Sequence, residues 1–120
     1  MKTNLIYLDE ETKKFPIIFT LNVMETIQNE YGSMDEWKEH IFTKDKDVEP
    51  NVKDLLFGLT EMVNEGIEIF NDENPDAEKL QLVNTKQVGR IVTKIGLEKS
   101  ISKLGESIID ANQTDNSKNE

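Results

Sequence analysis

Apolar and polar positions change period along the chain, and those changes mark its elements. Residues 4–8 and 15–19 are short apolar runs on either side of Asp9-Glu10-Glu11-Thr12-Lys13-Lys14, the pattern of a β-hairpin. Pro16 has no backbone N–H, so its strand is expected at an edge or near its start. From residue 21 the spacing becomes helical. Asn22 and Glu25 form a capping box, and Leu21, Met24, Ile27, Gln28 and Tyr31 fall on one face of a helix near 22–31. Gly32 suits the left-handed residue that ends it. Ser33 and Glu36 open a second helix near 34–42, with Met34, Trp37 and Ile41 facing inward.

The third helix, near 51–70, has the longest stripe. Val52, Leu55, Leu56, Leu59, Val63, Gly66, Ile67 and Phe70 hold a spacing of three and four. Residues 71–81, with Pro75 inside, read as an exposed acidic loop. Asn84 and Gln87 then cap a fourth helix near 85–95, whose inner face is Val88, Ile91, Val92 and Ile95. Beyond Gly96 a further stripe, Leu97, Ile101, Leu104 and Ile108, lies about half a turn away at ~100° per residue. A break at Gly96 and a fifth helix near 97–110 are therefore expected. The fold class is mainly α, of the α+β type: an N-terminal hairpin followed by about five helices. Residues 1–110 are expected to form one domain, and 111–120, polar and without an apolar anchor, a disordered tail.

Composition changes this picture in one respect. Of 120 residues, 36% are hydrophobic and 32% charged, with a formal net charge of −10. Such a surface repels phosphate backbones and anionic lipid, which argues against nucleic-acid and membrane partners. The charge is uneven, however. Residues 49–78 hold nine acidic side chains against Lys53 alone. Residues 86–103 hold Lys86, Arg90, Lys94, Lys99 and Lys103 against Glu98. The absence of cysteine excludes disulfides and thiolate metal sites. No apolar run is long enough for a signal peptide or a bilayer span, so the chain is expected in the cytoplasm.

Catalytic and ligand motifs are missing. His40, the sole histidine, reads as an exposed residue in Glu39-His40-Ile41, without the second member a site requires. In the loop beginning at Asn71, the sixth place of a calcium-binding loop falls on Asp76 and the twelfth on Leu82, where glycine and glutamate are needed. The glycines form no phosphate cradle. Gly66, on the core stripe, reads as a point of close helix packing. No enzyme activity, cofactor, metal or small-molecule substrate is expected. One alternative is a helix-turn-helix DNA-binding regulator using residues 86–104, with Gly96 at the turn. It places bulky Val92 where the two helices cross closely and Ser102 at a core position. Another non-enzymatic structural or interaction role is the remaining alternative.

The run Leu21-Asn22-Val23-Met24-Glu25-Thr26-Ile27-Gln28, followed by Tyr31-Gly32-Ser33 and Trp37, resembles the start of tail assembly chaperones from long-tailed phages and prophages of Gram-positive bacteria. Met62-Val63-Asn64-Glu65-Gly66-Ile67 and Lys86-Gln87-Val88-Gly89-Arg90 resemble that family's middle and later blocks in the same order. The likeness spans roughly residues 15–109. It implies a helical chaperone in the bacterial host cytoplasm that coats the tape-measure protein until the tail tube polymerises around it. In such families a longer product often arises by ribosomal frameshifting.

A partner surface is expected on the third helix. Phe57 lies about 140° from the main stripe at ~100° per residue, so either a neighbouring element, the hairpin or the last helix, covers it or it anchors a partner helix. With Met62 and Ile69 it makes the candidate protein-binding set. The opposed acidic and basic stretches also suggest a homo-oligomer, by head-to-tail pairing.

Overall fold

The computed structural model describes residues 2–45 and 47–118, with side chains as far as residue 112. Among these the order is β1 (Ile6–Glu10), β2 (Lys13–Ile17), α1 (Leu21–Tyr31), α2 (Met34–Ile41), α3 (Val52–Glu73), α4 (Thr85–Ile95) and α5 (Leu97–Lys118). The α+β class, with the hairpin first and the helices after it, is as the sequence predicts.

The strands lie two residues nearer the turn than the apolar runs. Only Glu11 and Thr12 form the loop, so the ladder extends into polar residues, with Asp9 opposite Lys14 and Glu10 opposite Lys13. Opposite charges facing across a ladder favour that extension. Glu11 takes a left-handed φ of 41°, and the Thr12 N–H donates to the Glu10 carbonyl.

The cap of α1 is Thr20, not Asn22. The Thr20 hydroxyl accepts from the Val23 N–H at 3.4 Å, while the Asn22 amide donates to Glu65 at 3.0 Å. The inward face is correspondingly rotated: Val23 and Ile27 are buried, Met24 and Tyr31 partly so, and Gln28 is exposed. Leu21, expected inside, is 77% exposed. In α2 the Ser33 hydroxyl accepts from the Glu36 N–H at 3.2 Å, and Trp37 and Ile41 are buried as expected.

Helix α3 is the spine, touching β2, α1, α2 and α4. Its Leu55, Leu59, Met62, Val63 and Ile67 are at most 1% exposed. Each such side chain contributes about 1.5–3 kcal/mol when removed from water, so α3 supplies more of the driving force than the two buried side chains of α2. Two of its glycines are required by close approach. A Cβ at Gly66 would stand 2.6 Å from the Pro16 carbonyl oxygen, and one at Gly58 would stand 2.2 Å from a ring carbon of Trp37. The strand and the indole both occupy space that any side chain would take.

The segment between α3 and α4 is held by two side-chain amides. Asn64 donates to the Val83 carbonyl at 2.9 Å and accepts from the Val83 N–H at 2.8 Å. Asn71 treats Leu80 in the same way, donating at 3.0 Å and accepting at 2.9 Å. An amide carries one donor edge and one acceptor edge, as a peptide does. Asn64 and Asn71 lie about two turns apart along α3, so together they hold residues 80–83 alongside the helix. Leu80 and Val83 turn onto the core, and Leu82 is 55% exposed.

Asn84 and Gln87 cap α4 reciprocally, each bond 2.8 Å. The helix ends at Gly96, whose φ of 105° lies where an L side chain is strained. Beyond that break α5 buries Ser100, Leu104, Ser107 and Ile108 and packs on β1 and α4. Its bounds run past the expected end at 110. Of the tail expected to be disordered from 111, side chains beyond 112 and residues 119 and 120 lie outside those described. Among the described residues no helix is long and apolar enough to cross a membrane.

Candidate functional site

The three residues expected to bind protein do not form one surface. Phe57 is half-buried. Its ring meets Tyr31 edge-on, with centroids 5.6 Å apart and planes at 75°. The end of α1 thus covers one side of Phe57, an element other than the hairpin and the last helix that the sequence suggests. Met62 is 0% exposed and its carbonyl accepts from the Ile18 N–H at 3.3 Å. Three residues after Leu59 and four before Gly66, it belongs to the core stripe and offers a partner nothing, which corrects the sequence reading. Ile69 is half-buried and lies about 120° around the helix from Phe57 at ~100° per residue.

Beside Phe57 is a polar cluster that sequence reasoning missed. The Tyr31 hydroxyl donates to Asp54 Oδ1 at 2.6 Å, and His40 Nδ1 lies 2.6 Å from Asp54 Oδ2. Trp37 Nε1 donates to the Asp54 carbonyl at 3.0 Å. Asp54 is 6% exposed, so its carboxylate depends on these partners in place of water. Burial, then the hydrogen bond and charge of Asp54, push the Tyr31 phenol well above its ordinary value. His40 therefore does have an orienting partner, although its side chain is 43% exposed. An Asp–His pair orients imidazole in acid–base sites, and here the same carboxylate also holds the Tyr31 hydroxyl. The cluster acts as a latch joining α1, α2 and α3.

The apolar depression that best suits a partner lies elsewhere. A groove of about 550 Å³ opens between the start of β1, the start of α1 and the later turns of α5. Ile6, Phe19, Leu21, Met24 and Ala111 line it, with Lys2 at its edge. Leu21 stands in solvent beside it because Thr20, rather than Asn22, caps α1. No spacing in the sequence marks this groove, since its walls come from both ends of the chain.

Compared with family models, curated proteins and solved structures, the chain matches none. Its function has to be argued from its own surfaces.

The basic segment is arranged differently from a helix-turn-helix. Helices α4 and α5 are joined by Gly96 alone, whereas a helix-turn-helix uses a turn of about 3–4 residues. Ser100 returns its hydroxyl to the Gly96 carbonyl at 2.9 Å. Lys94 reaches Glu10 at 3.3 Å, and Lys103 pairs with Glu106 at 3.5 Å. Arg90 and Lys94 line a second depression together with Lys13 and Lys14 of the hairpin.

Proposed function

We propose that this chain is a tail assembly chaperone, a non-enzymatic protein in the host cytoplasm that binds the tape-measure protein and keeps it soluble until the tail tube assembles. The observation that carries the reading is the apolar groove beside Leu21. One wall of that groove is the start of α1, which is also the block Leu21–Gln28 on which the family resemblance rests. A tape-measure protein is long and largely helical, and before assembly it exposes apolar stripes. An amphipathic helix laid along the groove would bury such a stripe through residues at i, i+3, i+4 and i+7. The net charge of −10 keeps the covered complex dispersed. Release needs no nucleotide, because polymerising tube protein competes for the same stripes by mass action.

The test is co-expression with the long, coiled-coil-rich protein that this reading requires to be encoded immediately downstream. Wild type is expected to hold the long protein in the soluble fraction and to co-purify with it. Leu21→Asp is expected to lose both while melting unchanged, since Leu21 is 77% exposed. A long protein that precipitates equally with and without wild-type chain sinks the reading.

A further inference from the structure

Two depressions of opposite sign flank the clamped segment 80–83. On one side Lys13, Lys14, Lys79, Arg90 and Lys94 surround a cavity of about 750 Å³ whose acidic lining is Glu10 and Glu78. On the other, Glu61, Glu65 and Glu68 line a furrow of about 260 Å³ between α1 and α3. Leu82 lines both. Glu65 is engaged by Thr20 and Asn22. Among the described residues, the ion pairs within 4.0 Å are His40–Asp54, Lys94–Glu10 and Lys103–Glu106. Glu61 and Glu68 are in none of them, nor are Lys13, Lys14, Lys79 and Arg90.

We propose that this surface is the self-complementary face of a symmetric dimer, with the two-fold axis running along residues 80–83. In an isologous contact a residue on the axis meets its own copy, and whatever lies to one side meets what lies to the other. Here Leu82 meets Leu82, and the basic rim of each chain faces the acidic furrow of its partner, twice. A second copy of the chain is the occupant because each side already carries the charge that the other requires. Asn64 and Asn71 hold the segment in place before association, which lowers the ordering cost of binding. Two chains of net charge −10 repel at long range. At physiological ionic strength the screening length is ~8 Å, which damps that repulsion more than it weakens charges in contact. The dimer is therefore weak and forms with rising concentration. It is independent of the groove beside Leu21, so either proposal can fail without the other.

Sedimentation equilibrium of the full chain decides the matter. Wild type should approach a mass of two chains and stop there. Lys79→Glu with Arg90→Glu, and separately Glu61→Lys with Glu68→Lys, should each weaken self-association by about tenfold or more, since each sets like charges against like. Mixed in equal amounts, the two variants should regain a two-chain mass, because acidic charge now predominates on both faces of one and basic charge on both faces of the other. The chain has no cysteine, so Leu82→Cys introduces a single thiol, which should oxidise to a linked dimer faster than Ile109→Cys, another exposed position. A monomer up to millimolar concentration overturns the proposal, as does a dimer indifferent to the charge reversals or a mixture that stays monomeric. A mass that climbs past two chains shows head-to-tail growth and overturns the closed dimer. A monomer whose charge reversals abolish capture of the long protein assigns the surface to that partner instead.

Discussion

Glycine stands inside both α3 and α4, and its surroundings differ. At Gly58 and Gly66 a methyl group would enter the Trp37 ring or the backbone of β2. At Gly89 the nearest atom to an added Cβ is a Leu56 methyl carbon at 3.5 Å, an ordinary contact. Where α3 meets α2 and the hairpin, the partners are a fully buried indole and a strand backbone, neither of which yields. Where α3 meets α4, the partner is the end of a flexible side chain. The same residue type is thus a requirement on one side of the spine and a cost on the other, because glycine lowers helix stability and only close approach offsets that.

This contrast predicts effects of opposite sign. The largest is Gly66→Ala, which should destabilise by about 3 kcal/mol, since the clash is with strand backbone and the whole of β2 must shift. Urea denaturation measures it, and a loss below ~1 kcal/mol would mean that the strand has slack after all. Gly89→Ala is smaller and opposite: it should stabilise by about 0.5–1 kcal/mol. Destabilisation there would place α4 as tightly as β2. The smallest effect appears only in alkali. The Tyr31 phenol is held above its ordinary value of about 10, so the unfolded chain ionises it first. Its contribution is complete below pH ~10 and is lost as pH rises beyond that. Tyr31→Phe should therefore show a shallower alkaline fall in stability than wild type. Equal slopes would remove Asp54 and burial as the cause.

Most elements were legible because periodicity and caps are local. Val88, Ile91 and Val92 share one face, Asn84 and Gln87 sit three residues apart, and Gly96 stands where the stripe changes sides. At two positions a distant residue decides a local choice. Asn22 looks like a cap but is taken by Glu65, which leaves Thr20 to cap α1 and turns Leu21 outward. Asp54, one of nine acidic residues between 49 and 78, collects Tyr31 and His40 from two other helices. Met62 is different, because its own spacing to Leu59 and Gly66 already places it in the core rather than on a partner surface. The basic surface was only half visible in residues 86–103, since Lys13 and Lys14 join it through the fold of the hairpin.

The amide clamp on residues 80–83 has a consequence for how this surface can vary. Asn64 and Asn71 grip backbone N–H and C=O groups and read no side chain. Position 82 can therefore drift through mutation without loosening the segment, whereas position 64 cannot. An aspartate there would aim a carboxylate at the Val83 carbonyl in place of the N–H that Asn64 now donates. The clamp is thus blind to the side chain at 82, so a substitution there would change what the surface offers a partner and leave the scaffold as it is.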